Sequence, residues 1–149
     1  MVDAGAGDVV AAAVGEAFGG VAGVAAVYLY GSAARGRLRP DSDIDIGVVF
    51  GRGAPSGEER ARVLAGVAAL LGRRFHRAID IVSLDTAPVV LRRQAIARGR
   101  RVLEPDRRAS RAFAARALLD YWDLGPTLAL FEHALDRRLG VRRQADGRP

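Results

Sequence analysis

Apolar positions along the 149-residue chain fall into short blocks that alternate between strand-like runs and helical stripes. Val9 to Phe18, "VVAAAVGEAF", is alanine-rich and amphipathic and stops at Gly19-Gly20, which predicts a first helix. Ala25 to Tyr30, "AAVYLY", is partly β-branched and aromatic and ends at Gly31, which predicts a buried strand. Gly31 to Asp41 reads as turn and loop, with room for one helical turn at Ala33 to Gly36. Ile44 to Phe50 is apolar on both faces and therefore reads as a central strand.

After the loop Gly51 to Gly57, a helix is predicted over Glu58 to Leu71, with Val63, Leu64, Val67, Leu70 and Leu71 on one stripe. Ala78 to Leu84, "AIDIVSL", predicts a third strand whose one charge is Asp80. Pro88 to Ala97 predicts a helix with Pro88 in its first turn, and Arg101 to Leu103 a short edge strand. Asp106 to Leu139 is helical in pattern, broken near Asp123 to Pro126. Together these blocks predict an α/β (α+β) fold, a small sheet flanked by helices with C-terminal helices. The expected organisation is a domain over 1–104, a helical extension over 105–140 and a flexible tail over 141–149.

Composition narrows the function. The net charge is +6, and all 23 basic residues are arginine. That excludes a lysine nucleophile and favours anionic partners such as nucleotide phosphates or an acidic protein face. The arginines are not interleaved with stacking aromatics, so direct nucleic-acid binding is not expected. Cysteine is absent, which leaves no disulfide and no thiolate metal site. No apolar run approaches the roughly 20 residues that cross a bilayer, and the acidic start "MVDAGAGDVV" does not look like a secretory signal. The expectation is a soluble cytoplasmic protein.

The stretch "GSAARGRLRPDSDIDIGVVF" carries the chemistry. Side chains at i and i+2 of a strand share a face, so Asp43 and Asp45 project together. Two carboxylates suit a hard divalent cation such as Mg²⁺, which is usually completed by substrate phosphates. Asp80, alone in an apolar strand, is costly unless it faces the same cation site or serves as a base. Gly31 permits a positive φ and close backbone approach, and Ser32 offers a hydroxyl and backbone N–H groups to phosphate. A phosphate cradle beside a cation site is what nucleotidyl transfer needs. Arg35 either steers a triphosphate or pairs with a local carboxylate to hold the turn. Asp41, Arg37, Arg39 and Asp85 read as loop or turn residues, and His76 and His133 as isolated surface or helix residues. Tyr121, Trp122, Leu124, Leu128, Phe131 and Leu135 make an apolar stripe that serves as core, lid or partner face.

Gly31-Ser32, the spacer with Arg35-Gly36, and Ser42-Asp43-x-Asp45 before an apolar strand resemble the signature of the DNA polymerase β-like nucleotidyltransferases. "AIDIVSL" resembles the strand bearing that family's third carboxylate. The small chain resembles the minimal nucleotidyltransferase (MNT) subgroup. The resemblance implies a mixed sheet with helices on one side, ATP as substrate and two Mg²⁺ ions. It implies Gly31, Ser32, Arg35 and Ser42 on the nucleotide phosphates, Asp43 and Asp45 on metal, and Asp80 as third ligand and base. Many MNT proteins pair with a HEPN-domain ribonuclease toxin encoded next door and inactivate it by transferring AMP to a tyrosine. Two other readings stand beside that one. The first is a small-molecule acceptor such as an aminoglycoside, for which the chain after Leu103 leaves little room. The second is an antitoxin that merely binds and masks its partner.

Overall fold

The computed structural model describes residues 4–36 and 38–127. The element order is α1 (Ala4–Phe18), β1 (Val24–Tyr30), α2 (Gly31–Ala34), β2 (Ile44–Phe50), α3 (Gly57–Phe75), β3 (Ile79–Ser83), α4 (Val89–Arg98), β4 (Arg100–Leu103) and α5 (Arg107–Asp123). The expected Leu128, Phe131, His133 and Leu135, Arg37, the far end of the C-terminal extension and the tail all lie outside the described residues.

Four strands form one mixed sheet in the order β3-β2-β1-β4. β1 is antiparallel to both its neighbours, while β2 and β3 are parallel. Parallel strands cannot be joined by a tight hairpin. The long helix α3 makes that crossover, with Glu58 and Glu59 in its first turn and Arg73 and Arg74 in its last, matching the helix dipole. His76 ends it in the left-handed region at φ 51°, so this residue, read as a bland surface position, is the C-cap.

All seven residues of β1 are buried, and in β2 only Asp45 is not fully buried. The apolar side chains sort into two clusters by strand parity. Val27 and Leu29 of β1 with Ile44, Ile46 and Val48 of β2 join Val14 and Phe18 of α1 and Leu71 of α3. Tyr28 and Tyr30 with Val49 face the other way, onto Leu84, Ala95 of α4 and Phe113 of α5. Helices therefore cover both faces of the sheet, not one. The apolar β1 and β2 require this, because a one-sided layer would leave Tyr28 and Val49 in water.

The element boundaries differ in small ways, each with a physical reason. α1 begins five residues before the expected Val9, since the alanines and glycines ahead of it give no periodic signal. The helical turn after β1 starts at Gly31 instead of Ala33, because Gly31 takes φ 65° and turns the chain at once. Pro88 is the N-cap of α4 rather than its first residue. Leu70, expected on the inner stripe of α3, is 51% exposed, and Val67 and Leu71 do the packing.

Candidate active site

The candidate site lies where β1 ends and β2 and β3 begin. In the parallel register Asp45 stands opposite Asp80, and in the antiparallel register Tyr30 stands opposite Asp45. The three residues thus sit side by side across adjacent strands, on the face of the second apolar cluster. Asp43 is exposed two positions before Asp45, just ahead of the strand.

The Asp45 carboxyl is held above its ordinary range. Partial burial is the largest cause, followed by the charges of Asp80 and Asp43. Burial, then the charges of Asp45 and Asp80, push the Tyr30 phenol up to about 12, so it keeps its proton throughout the physiological range. Among the described residues, Asp43, Asp45 and Asp80 make no ion pair with a basic side chain. Nor does any group of three or more Asp, Glu, His or Cys side chains among them stand together as a ready-made metal cage. The donor set still suits Mg²⁺: hard oxygens, like charges with no basic partner among the described residues, and a binding mode that needs one or two carboxylates plus substrate phosphates.

Gly31 is fixed by this geometry twice over. Its φ of 65° strains any L side chain, and a Cβ there would overlap Oδ2 of Asp45. The turn therefore packs directly on the carboxylate. Ser32 lies in the first turn of α2, where N–H groups have no partner within the helix. A shallow depression of about 350 Å³ opens here, lined by Ser32, Arg35, Arg39 and Ser42.

Two expected phosphate residues already have local work. Arg35 donates from Nε to the carbonyl oxygen of Gly31 at 3.2 Å, so it closes the α2 turn through backbone rather than through a carboxylate. The Ser42 hydroxyl accepts from the Arg39 N–H and donates to the Arg39 carbonyl, both at 2.9 Å, and so closes a turn before Asp43. Sequence reasoning missed Tyr30 and Arg77. For Tyr30 the available signal was its place at the last position of a buried strand ahead of Gly31. Arg77 donates from Nη1 to the carbonyls of Arg39 and Ser42, a link across 35 or more positions that no local pattern carries. Asp85, read as turn chemistry, accepts from the Phe50 N–H at 2.9 Å and so extends β2 by one bond.

The fold is shared with known structures. A chain of a toxin–antitoxin crystal structure with AMP-PNP superposes with a TM-score of 0.67, covering 84% of this chain and 98% of that one at 22% identity. A chain from the tri-AMPylated Shewanella oneidensis HEPN toxin in complex with MNT antitoxin gives 0.62 at 18% identity, over 87% of this chain and 98% of that one. A chain of the toxin–antitoxin MntA–HepT gives 0.60 at 18% identity, over 86% and 98%. At these identities the likeness is one of fold. No curated protein matches the chain. Residues 16–108, more than half of the sequence and the part that holds the whole sheet and its carboxylates, match the family described as polymerase beta, nucleotidyltransferase, and the chain belongs to that family.

Proposed function

We propose that this nucleotidyltransferase moves AMP from ATP to a tyrosine hydroxyl of a HEPN-type toxin and so acts as its antitoxin. The observation that carries the proposal is the Asp45–Asp80 pair, in register on parallel strands beside the Gly31 turn, whose positive φ and close approach to Asp45 favour glycine. The AMP-PNP bound in one similar structure and the tri-AMPylated HEPN toxin in another support the choice of donor and acceptor.

In this reading residues 1–104 carry the chemistry and the helical residues from 105 onward extend it. Gly31 and Ser32 present backbone N–H groups to the phosphates, and Arg35 and Arg39 add positive charge at the depression's rim. Asp43, Asp45 and Asp80 would hold Mg²⁺, which neutralises phosphate charge and makes the attacking hydroxyl more acidic when bound. The hydroxyl oxygen attacks the α-phosphorus, the bond to the β-phosphate oxygen breaks, and pyrophosphate leaves. The hydroxyl proton passes to the Asp80 carboxylate.

The test incubates the protein with labelled ATP, Mg²⁺ and a HEPN-type toxin, taken from the neighbouring gene where one encodes it. Label on a partner tyrosine, absent with Asp43→Asn and with EDTA, is the expected result. A partner neutralised without label means masking by binding alone. Label on an added aminoglycoside but not on protein means a small-molecule acceptor.

A further inference from the structure

We propose that Arg77 is a positioning residue of the nucleotidyl-transfer site. The inference rests on the functional reading above and concerns how the site is held.

Arg77 follows the left-handed cap His76 and leads into β3, the strand of Asp80. Its Nη1 donates to the Arg39 carbonyl and, at 3.1 Å, to the Ser42 carbonyl. The Arg39 carbonyl also accepts from the Ser42 hydroxyl at 2.9 Å and the Ser42 N–H at 3.1 Å. Three donors thus converge on one loop oxygen, and one of them is a cation, which makes the stronger kind of bond. The next residue, Ala78, accepts from the Ile44 N–H at 3.0 Å. Residues 77 and 78 therefore tie the start of the Asp80 strand to the start of the strand holding Asp45.

The latched turn does two things for the site. It places Arg39 and Ser42 on the wall of the depression that Ser32 and Arg35 complete. It also ends one residue before Asp43. Among the described residues, the turn's other hydrogen bonds run within itself, and Arg39, Pro40 and Asp41 are exposed. Among the described residues the guanidinium makes no ion pair, so its bonds to this turn are its visible role.

The experiment uses the full chain with Arg77→Ala, Arg77→Lys and, as a control, Arg73→Ala on the exposed end of α3. Hydrogen exchange over residues 39–44 and binding of a fluorescent ATP analogue with Mg²⁺ are measured, then kcat and KM in the transfer assay. Arg77→Ala should speed exchange over 39–44 about tenfold and weaken analogue binding about tenfold, the scale of one charge-assisted hydrogen bond. KM for ATP should rise in step, with kcat changed by less than about threefold. Arg77→Lys, which keeps a cation in reach of the carbonyls, should recover most of both effects and serves as the working variant if alanine does not fold. Unchanged exchange at 39–44, or unchanged nucleotide affinity with loosened exchange, overturns the proposal. A wild-type chain that binds no nucleotide at all sinks the transfer reading itself, and the positioning role with it.

Discussion

The two ends of β2 each meet a carboxylate, and the protein treats them in opposite ways. At the far end Asp85 accepts from the Phe50 N–H at 2.9 Å and the Ser83 hydroxyl at 3.2 Å, so its charge is spent on closing the sheet. At the near end Asp45 faces Asp80 and Asp43, has no basic partner among the described residues, and is pushed up by burial and by both neighbours. A carboxylate fully used by the fold stabilises it. One kept among like charges works against the fold and marks where a ligand supplies the missing charge.

The largest expected effect of breaking the contrast is at Asp45. Asp45→Asn keeps the shape and removes the charge. AMP transfer should fall about a thousandfold, on the scale of losing a catalytic metal's hold. The same variant should melt at a higher temperature than the parent in metal-free buffer, because one of three crowded charges has gone. A variant that keeps full transfer activity would remove Asp45 from the chemistry. Asp85→Ala should do the reverse. It strips a partner from the buried Phe50 N–H, costing about 1–3 kcal/mol in a denaturant titration, and leaves the catalytic rate nearly intact. Equal stability in that variant would show that water replaces Asp85 at no cost.

How legible was this contrast in the chain itself? The near end was readable: Gly31, Ser32, Asp43 and Asp45 stand in one local pattern, and the apolar run Ile44 to Phe50 is the strand from end to end. Asp80 was readable as the one charge of an apolar strand and a candidate for the same site, but its exact place opposite Asp45 was not, because register is settled by how β3 packs and not by its own residues. The same holds for Asp85. Its aspartate-threonine-proline surroundings look like any turn, and its partner Phe50 lies 35 positions away. Arg77 is hidden for the same reason. Leu70 misled because periodicity marks a stripe wider than the surface the sheet can cover.

A finer probe of the near end is pH. In the folded chain Asp45 holds its proton to a higher pH than the ordinary 3.8. Folding therefore takes up a proton between 3.8 and the raised native value, and the stability this residue allows declines as pH rises through that window. The melting temperature of Asp45→Asn relative to the parent should be higher at neutral pH. That difference should shrink toward zero as pH falls below the ordinary value. A difference that stays constant across the window would mean that the charge is not the source of the strain.

The smallest effect should come from Asp41, which shares a short acidic stretch with Asp43 and Asp45 but not their surroundings. It is exposed in the turn ahead of β2, and its charge is not among those acting on Asp45. Asp41→Asn should therefore change stability by less than about 0.5 kcal/mol, as surface substitutions away from special features do. Transfer activity and its Mg²⁺ dependence should match the parent. If Asp41→Asn instead shifts the Mg²⁺ concentration for half-maximal rate, the acidic cluster acts as one electrostatic unit. Asp41 would then belong to the site with Asp45 and Asp80, although strand register pairs only those two.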